Sequence, residues 1–514
     1  MHNGSVGADR GKVRERRGPS PRDPDGGSMS FDLSLTPAQH DLVERTHAFA
    51  RDVVRPVAAE YDQRQEFPWP VLEEAAKEGF YNPLFYRDLI GDPTGLSLPL
   101  FMEELFWGCA GIGLAVVMPA LALSAIGQAA TPEQMLRWAP ECFGEPGDLK
   151  LAALAISEPQ GGSDVRNLRT TARRDGDDWV IDGHKMWIGN GGIANVHVVT
   201  ATVDPDLGHR GQAMFIVPGG TPGLELVRKL DKLGCRASHT AELSFDGVRV
   251  PAGNLLGGAD KLEHKLAKAR EQTLAAERGQ AAERPDEEAP ADTQESTRTE
   301  RPGGSNTLGA FEQTRPMVAA QALGIARAAF EYAAEYAGER EAFGAPIIDN
   351  QGISFALADI AARIDAARLL TWRASWMAAQ KVPFQHAEGS VSKLMASEVA
   401  VDATEKAIQV LGGWGYISDH PVEKWYRDAK LYTIFEGTSE IQRLIIGRTL
   451  GASESPPPVH VTAPTDGPLF NEVWGRGTPT RNKVGQAMLK AKDRVPEPAM
   501  GVVMKFLSPP NRKG

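Results

Sequence analysis

The chain has 514 residues, 42% of them hydrophobic, with a formal net charge of -11 at pH 7. That length leaves room for several domains and a large core, and the acidic balance excludes a polycation that holds nucleic acid by charge. Three cysteines, Cys109, Cys142 and Cys235, are too few and too scattered for a disulfide framework or a CxxC metal site, so no metal and a reducing, cytoplasmic setting are expected.

Residues 1–28 are rich in Gly, Pro, Ser and Arg and lack the apolar core of a signal peptide. Asp9, Glu15, Asp23 and Asp25 speak against a transit peptide, and Met29 is a candidate start. Residues 1–33 therefore read as a disordered extension. Residues 34–150 read as a helical domain: Thr36 caps a helix opened by Pro37, and Leu42, Phe49, Val53 and Val57 recur at helical spacing. Thr131-Pro132-Glu133 opens another helix. No residue between 105 and 132 is charged, but Pro119 and several glycines interrupt the run and no basic flank follows. A buried helix is expected there, not a membrane span.

From residue 151 the texture changes to short strands: WVIDGHKMWI, with a turn expected at Asp182-Gly183, then VHVVTATV, AMFIV, LELV and AELSFDGVRV. These define a β domain over residues 151–257. Residues 258–306 are a charged insertion. Its first part, 261–284, reads as a helix with Leu262, Leu266, Ala269 and Thr273 on one face, and 285–306 as disordered. Ala-rich helices such as QALGIARAAFEYAAEYA return over 307–450, and 451–514, opening on three prolines, reads as a flexible tail. The fold class is α+β, with several domains in the order helical, β, helical.

Three clusters carry chemistry. In LYTIFEGTSEIQR, residues 431–443, Glu436 stands between the apolar Phe435 and Gly437, just ahead of a helix start at Thr438 and Glu440. A carboxylate so placed can be desolvated, which raises its pKa toward that of a working base. In AISEPQGGSD, residues 155–164, Gly161, Gly162 and Ser163 can turn successive N–H groups toward one anion, as a pyrophosphate needs. In GHKMWIGNGG, residues 183–192, Trp187 offers a flat apolar face, and the two runs are expected on neighbouring strands. No GxGxxG follows a strand, so a Rossmann dinucleotide site is not expected.

Taken together, these runs resemble the flavin-dependent acyl-CoA dehydrogenases. AISEPQGGSD and GHKMWIGNGG are similar to that family's TEPxxGSD and KxWITNG motifs, and VEKWYRDAK with LYTIFEGTSEIQR is similar to its C-terminal signature. The resemblance spans residues 33–450 apart from the insertion. It implies an N-terminal helical domain, a middle β-barrel-like domain, a C-terminal four-helix bundle and FAD as cofactor. It puts Ser157 where a threonine hydrogen-bonds the flavin ring, Ser163 on the FAD pyrophosphate and Trp187 beside the flavin. Gly189 departs from the pattern, standing where a threonine hydroxyl usually reaches flavin N5.

Arg340, in GEREAFG, matches an arginine that reaches the pyrophosphate from a neighbouring subunit, with Phe343 and Gln351 following at family spacing. Gln409, Gly412 and Gly413 match the segment at the adenosine end, and Thr438 and Glu440 join the cofactor set. In FEQTRP, Arg315 matches an arginine near the CoA adenine and phosphate end; Phe311 and Glu312 accompany it, and Phe435 and Gly437 complete the substrate set.

The implied reaction is α,β-dehydrogenation of an acyl-CoA to a trans-2-enoyl-CoA, as in fatty acid β-oxidation. Glu436 takes the α-proton and flavin N5 the β-hydride. An electron-transfer flavoprotein is the implied acceptor, and a homo-oligomer, dimer or tetramer, the implied assembly. Two alternatives stay open: an oxidase passing electrons to oxygen, and a non-catalytic flavoprotein of the same fold with a nucleic-acid role. Glu436 and the acidic charge oppose the second.

Overall fold

The computed structural model describes residues 31–32, 34–282, 306–450 and 461–462, with side chains described over 34–275 and 314–450. The expected N-terminal extension with Met29, the stretch 285–305, most of the tail, and the side chains of Phe311 and Glu312 lie outside the described residues. Phe31–Asp32 and Val461–Thr462 form a two-residue parallel ladder in a small unit of their own.

In the main body the chain begins with a capping box. Thr36 Oγ1 accepts from Gln39 N–H at 3.3 Å, and the Gln39 side chain accepts from Thr36 N–H at 2.9 Å, starting helix Pro37–Phe49. Pro56 then lacks the N–H an α ladder needs. The helix passes through a π turn, Ala50–Val54, and a 3-10 turn, Arg55–Val57, before resuming as Ala58–Arg64. Ser97–Gly108 and Ala110–Ala129 are apolar almost all round. The second has the length and hydropathy of a membrane span, but 67% of its apolar window is buried inside the protein, as a core helix requires.

The seven-stranded sheet has the order Ala152–Ala155, Val196–Thr202, Thr171–Asp175, Asp178–Gly189, Thr240–Pro251, Leu224–Lys229, with Gln212–Pro218 paired to Val196–Thr202. Two expectations need correction here. Asp182-Gly183 is not a turn: Asp178–Gly189 is one 12-residue strand, and the reversal falls before it at Gly176, with φ 63°. Gly183 instead sits at a bulge, where a Cβ would lie 2.5 Å from Thr170 Oγ1, so this glycine permits close packing.

The strands bearing AISEPQGGSD and GHKMWIGNGG are not adjacent in the ladder order either. The sheet curls into a half-barrel that brings them together, Met186 N–H donating to Ser157 O at 2.9 Å and Asn190 Nδ2 to Ala152 O at 3.2 Å.

Helices Asn306–Glu339, Gln351–Ala379 and Glu388–Leu411 form the C-terminal bundle, with Val422–Tyr432 and Ser439–Thr449 packed beside them. A stripe of buried alanines, among them Ala319, Ala322, Ala326, Ala329 and Ala333, lets the first helix approach its neighbours closely. Gly324 is the tightest point, where a Cβ would lie 2.4 Å from Glu103 O. The same crossing buries charge: Arg327 donates to Glu103 Oε1 at 3.0 Å and to Glu104 Oε1 at 2.6 Å, and Arg368 to Glu103 at 2.7 Å. Each buried charge has a partner, which offsets its desolvation.

The insertion begins as an ordered helix, Gly258–Ala282, with Leu262 and Ala269 buried and Arg270 paired to Asp204 at 2.8 Å. Leu262, Leu266 and Ala269 face inward at the spacing expected from sequence.

Helix Val422–Tyr432 leads directly into Glu436 and is clamped to the β domain and to helix Ala58–Arg64. Asp428 accepts from Lys424 Nζ at 2.6 Å and from Cys235 N–H at 2.5 Å, while Arg427 bonds Asp62 at 2.7 Å and Leu233 O at 3.0 Å. Gly234 allows this approach: a Cβ there would lie 2.3 Å from the Arg427 carbonyl.

Candidate active site

After Tyr432 the helix ends, and Phe435 turns back to meet the buried Tyr432 ring edge-on, centroids 5.0 Å apart. Glu436 and Gly437 then adopt φ of 54° and 91°, and Thr438 caps the next helix by accepting from Ile441 N–H at 3.2 Å. A left-handed glutamate is costly without support. The support comes from donors on the Gly437 carbonyl: Lys393 Nζ at 2.7 Å and Gln442 Nε2 at 2.9 Å. A Cβ on Gly437 would lie 2.6 Å from Gln442 Nε2, so glycine suits this position doubly.

Arg315 is buried and donates to Ser390 Oγ at 2.7 Å, one helical turn before Lys393. Burial pushes the Glu436 carboxyl above the usual carboxylate range, and the Lys393 and Arg315 cations pull it partway back. Burial likewise lowers Lys393 to about 8 and Arg315 to about 10, both opposed by Glu436. The result is a desolvated carboxylate with a raised proton affinity and two cations in electrostatic reach. Such a group can accept a proton near neutral pH.

The second cluster lies on the curled sheet. Trp187, with φ 61°, holds its indole outward at 54% exposure, and the open Gly162 lies beside the ring: a Cβ there would sit 3.7 Å from Trp187 Cζ3. Ser157 is half-buried and Ser163 exposed. The loop between them is tied down by the buried Glu158. Its carboxylate accepts from Arg169 N–H at 2.6 Å, Thr170 N–H at 2.9 Å and Lys185 Nζ at 2.9 Å. Burial alone would raise Glu158; Lys185 and the N–H donors outweigh it and hold the carboxyl at about 2.

Gly189, the departure from the motif, is not beside an empty niche. A Cβ there would lie 2.8 Å from both Sδ and Cε of Met118, on helix Ala110–Ala129. These features suit a flavin nucleotide: an uncovered indole beside an open glycine, and a loop between two serines that carries Gly161 and Gly162.

The third cluster is exposed. Glu341–Ala342 and Ala345–Pro346 form a two-residue hairpin whose tip, Phe343 and Gly344, has φ of 56° and 86°. A fully exposed phenylalanine in that conformation is unfavourable for an isolated chain. Arg340 lines a groove of about 480 Å³ with Tyr336, Val410, Leu411, Gly413 and Trp414. Gln351 and Gln409 are exposed nearby in sequence, and Gly412 ends helix Glu388–Leu411 with φ 61°. Glu440 is exposed at the start of the last helix.

Three matches with known proteins follow the chain order. Residues 36–146 match the acyl-CoA dehydrogenase N-terminal domain, 153–248 the middle domain and 302–451 the C-terminal domain. The chain belongs to the acyl-CoA dehydrogenase family.

The mitochondrial short-chain specific acyl-CoA dehydrogenase of Bos taurus is 39% identical over 414 residues, covering 80% of this chain and 89% of that protein. Butyryl-CoA dehydrogenase from Megasphaera elsdenii is 31% identical with a TM-score of 0.68, covering 82% of this chain and 100% of that one. A chain from the structural study of the electron transferring flavoprotein of Acidaminococcus fermentans is 30% identical with a TM-score of 0.68, covering 83% and 100%. Acyl-CoA dehydrogenases are FAD-dependent enzymes, and the N-terminal helical, middle β half-barrel and C-terminal helical layout is theirs.

Within this acyl-CoA dehydrogenase the sequence alone pointed past Lys393, Ser390, Gln442 and Met118. A signal for Lys393 existed: it falls in helical register with the buried Ala396, Ala400, Ala403 and Ala407, on the face that packs inward.

Proposed function

We propose that the protein catalyses FAD-dependent α,β-dehydrogenation of a short-chain acyl-CoA to the trans-2-enoyl-CoA, with Glu436 as the base for the α-proton. The observation that carries this is the Glu436 turn: a half-buried glutamate in left-handed conformation whose following carbonyl is pinned by Lys393 and Gln442, with burial pushing its carboxyl up against the pull of Lys393 and Arg315. The short acyl chain rests on the 37–39% identity to short-chain specific enzymes.

Glu436 removes the α-proton, and the pair left on Cα becomes the new π bond as the β-hydrogen departs with its electrons. The backbone N–H of Glu436 donates to the thioester oxygen as negative charge develops there. Phe435 and Gly437 bound the acyl side, the first excluding water and the second admitting substrate to the backbone. Phe311 and Glu312 would belong to the CoA side, while Arg315, buried and with its charge acting on Glu436, is a base-side residue and not one at the CoA adenine and phosphate end where the motif put it. Bound FAD would supply the two-electron acceptor for the β-hydrogen. Ser157, Ser163 and Trp187 would hold it on one subunit, with Thr438 and Glu440 at its edge. Arg340, Phe343, Gln351, Gln409, Gly412 and Gly413 would reach it from a second copy of the chain, in a dimer or tetramer.

The electrons would pass to an electron-transfer flavoprotein in the cytoplasm. Three buried free cysteines suit that reducing setting. Gly189, lacking the hydroxyl its position usually carries, favours oxidase activity as the second reading. Turnover of butyryl-CoA assayed for peroxide and for dye reduction separates the two. Dye reduction with little peroxide supports the dehydrogenase; one peroxide per turnover reverses the order.

A further inference from the structure

We infer that Lys393 is the positioning residue for the base: its buried ammonium pins the Gly437 carbonyl, so holding Glu436 in its left-handed turn, and its charge keeps the Glu436 carboxylate available as an anion. This rests on the reading of Glu436 as the base. Lys393 is fully buried on helix Glu388–Leu411, and its Nζ donates to Gly437 O at 2.7 Å. A lysine is buried at a cost unless its charge is used. Here the carbonyl it holds follows the one glutamate that the chain keeps left-handed among the described residues.

Ser390, one turn earlier on the same helix, holds Arg315, so one helix supports both the ammonium bonded to this turn and the guanidinium whose charge reaches Glu436. The charged groups around the carboxylate are Lys393 from Glu388–Leu411 and Arg315 from Asn306–Glu339. Glu440, on Ser439–Thr449, acts on Lys393. Arg315 keeps its charge across the working pH range. Lys393, lowered by burial to about 8, is the cation that can lose it.

Two substitutions separate the roles. Lys393→Gln keeps a donor for the Gly437 carbonyl and removes the charge; Lys393→Met removes both. The acid limb of kcat/KM for butyryl-CoA is expected to move up by about one pH unit in both variants. The plateau is expected to fall further, at least tenfold, only in Lys393→Met. An acid limb at its original pH in Lys393→Gln overturns the proposal.

An infrared titration of the unsubstituted protein, with the Glu436 band identified by its loss in Glu436→Gln, gives a readout independent of how well the variants fold. The carboxylate band is expected to shift again as Lys393 loses its proton near pH 8, and a band constant from pH 7 to 10 overturns the proposal. Full activity in Glu436→Gln would defeat the base assignment itself. An inactive Glu436→Gln with an unmoved limb in Lys393→Gln defeats only the role of Lys393.

Discussion

Beside Glu436 and at Glu158 key polar contacts are made inside the chain: Lys393 and Gln442 on the Gly437 carbonyl, Lys185 and two N–H groups on Glu158. Around Arg340 the opposite holds. Phe343 is fully exposed, Tyr416 is 85% exposed, and Phe355 and Trp414 also face solvent. The first region folds into its working shape unaided. The second leaves strained backbone and apolar surface uncovered, which the proposed second copy of the chain would cover. Substitutions in the enclosed region should therefore cost fold stability, while those at the exposed edge should cost cofactor and assembly with the fold intact.

The largest effect is expected where a buried charge loses its partner. Lys185→Met strands the Glu158 carboxylate and should cost about 3–5 kcal/mol of stability, read as a lowered Tm, together with flavin loss. An unchanged Tm would break the contrast at its enclosed end. The same pairing sets an acid limit. Glu158 and Glu104 are both held at about 2, below their unfolded range near 4.5, so the unfolded chain binds more protons in that window. Their contribution is complete above about pH 4.5 and should be lost as pH falls toward 2, which thermal melts across that range will follow.

A smaller cost is expected from restoring the residue more usual at the motif's departure. Gly189→Thr drives a branched side chain into Met118 and should lose about 1–3 kcal/mol. Adding Met118→Ala should return most of it; failure to do so would show that the strand, not the methionine, rejects the side chain.

The smallest effect on stability belongs to the exposed edge. Arg340→Ala should change the fold by less than about 0.5 kcal/mol while the bound FAD content drops and the assembly loosens on size exclusion. Unchanged FAD would remove this edge from the cofactor site and sharpen the contrast to a purely structural one.

Much of this organisation was legible in the sequence. Thr36 and Thr131 announced helix starts that form as capping boxes, and the face of Leu262, Leu266 and Ala269 correctly marked the insertion helix. What escaped was tertiary. Asp182-Gly183 has turn composition, but the sheet's curl uses that glycine as a bulge against Thr170. Lys393 shares the inward alanine face of its helix, but its partner, the Gly437 carbonyl, lies 44 residues away and is met only when the helix packs against the Glu436 turn. Met118 became relevant only once the curl brought helix Ala110–Ala129 over Gly189. Left-handed φ at Phe343 belongs to the two-residue hairpin it shares with Gly344, whereas at Glu436 it is held by Lys393, distant in sequence, and leaves no local signature.

The central claim is that the Glu436 carboxylate removes the α-proton of an acyl-CoA beside a bound flavin. The most direct measurement mixes FAD-loaded protein anaerobically with butyryl-CoA and follows flavin absorbance in the unsubstituted protein and in Glu436→Gln. Rapid bleaching in the first, and bleaching slowed by at least about 10²–10⁴-fold with FAD still bound in the second, is the predicted result. Equal bleaching in both, or protein that takes up no FAD, would contradict it.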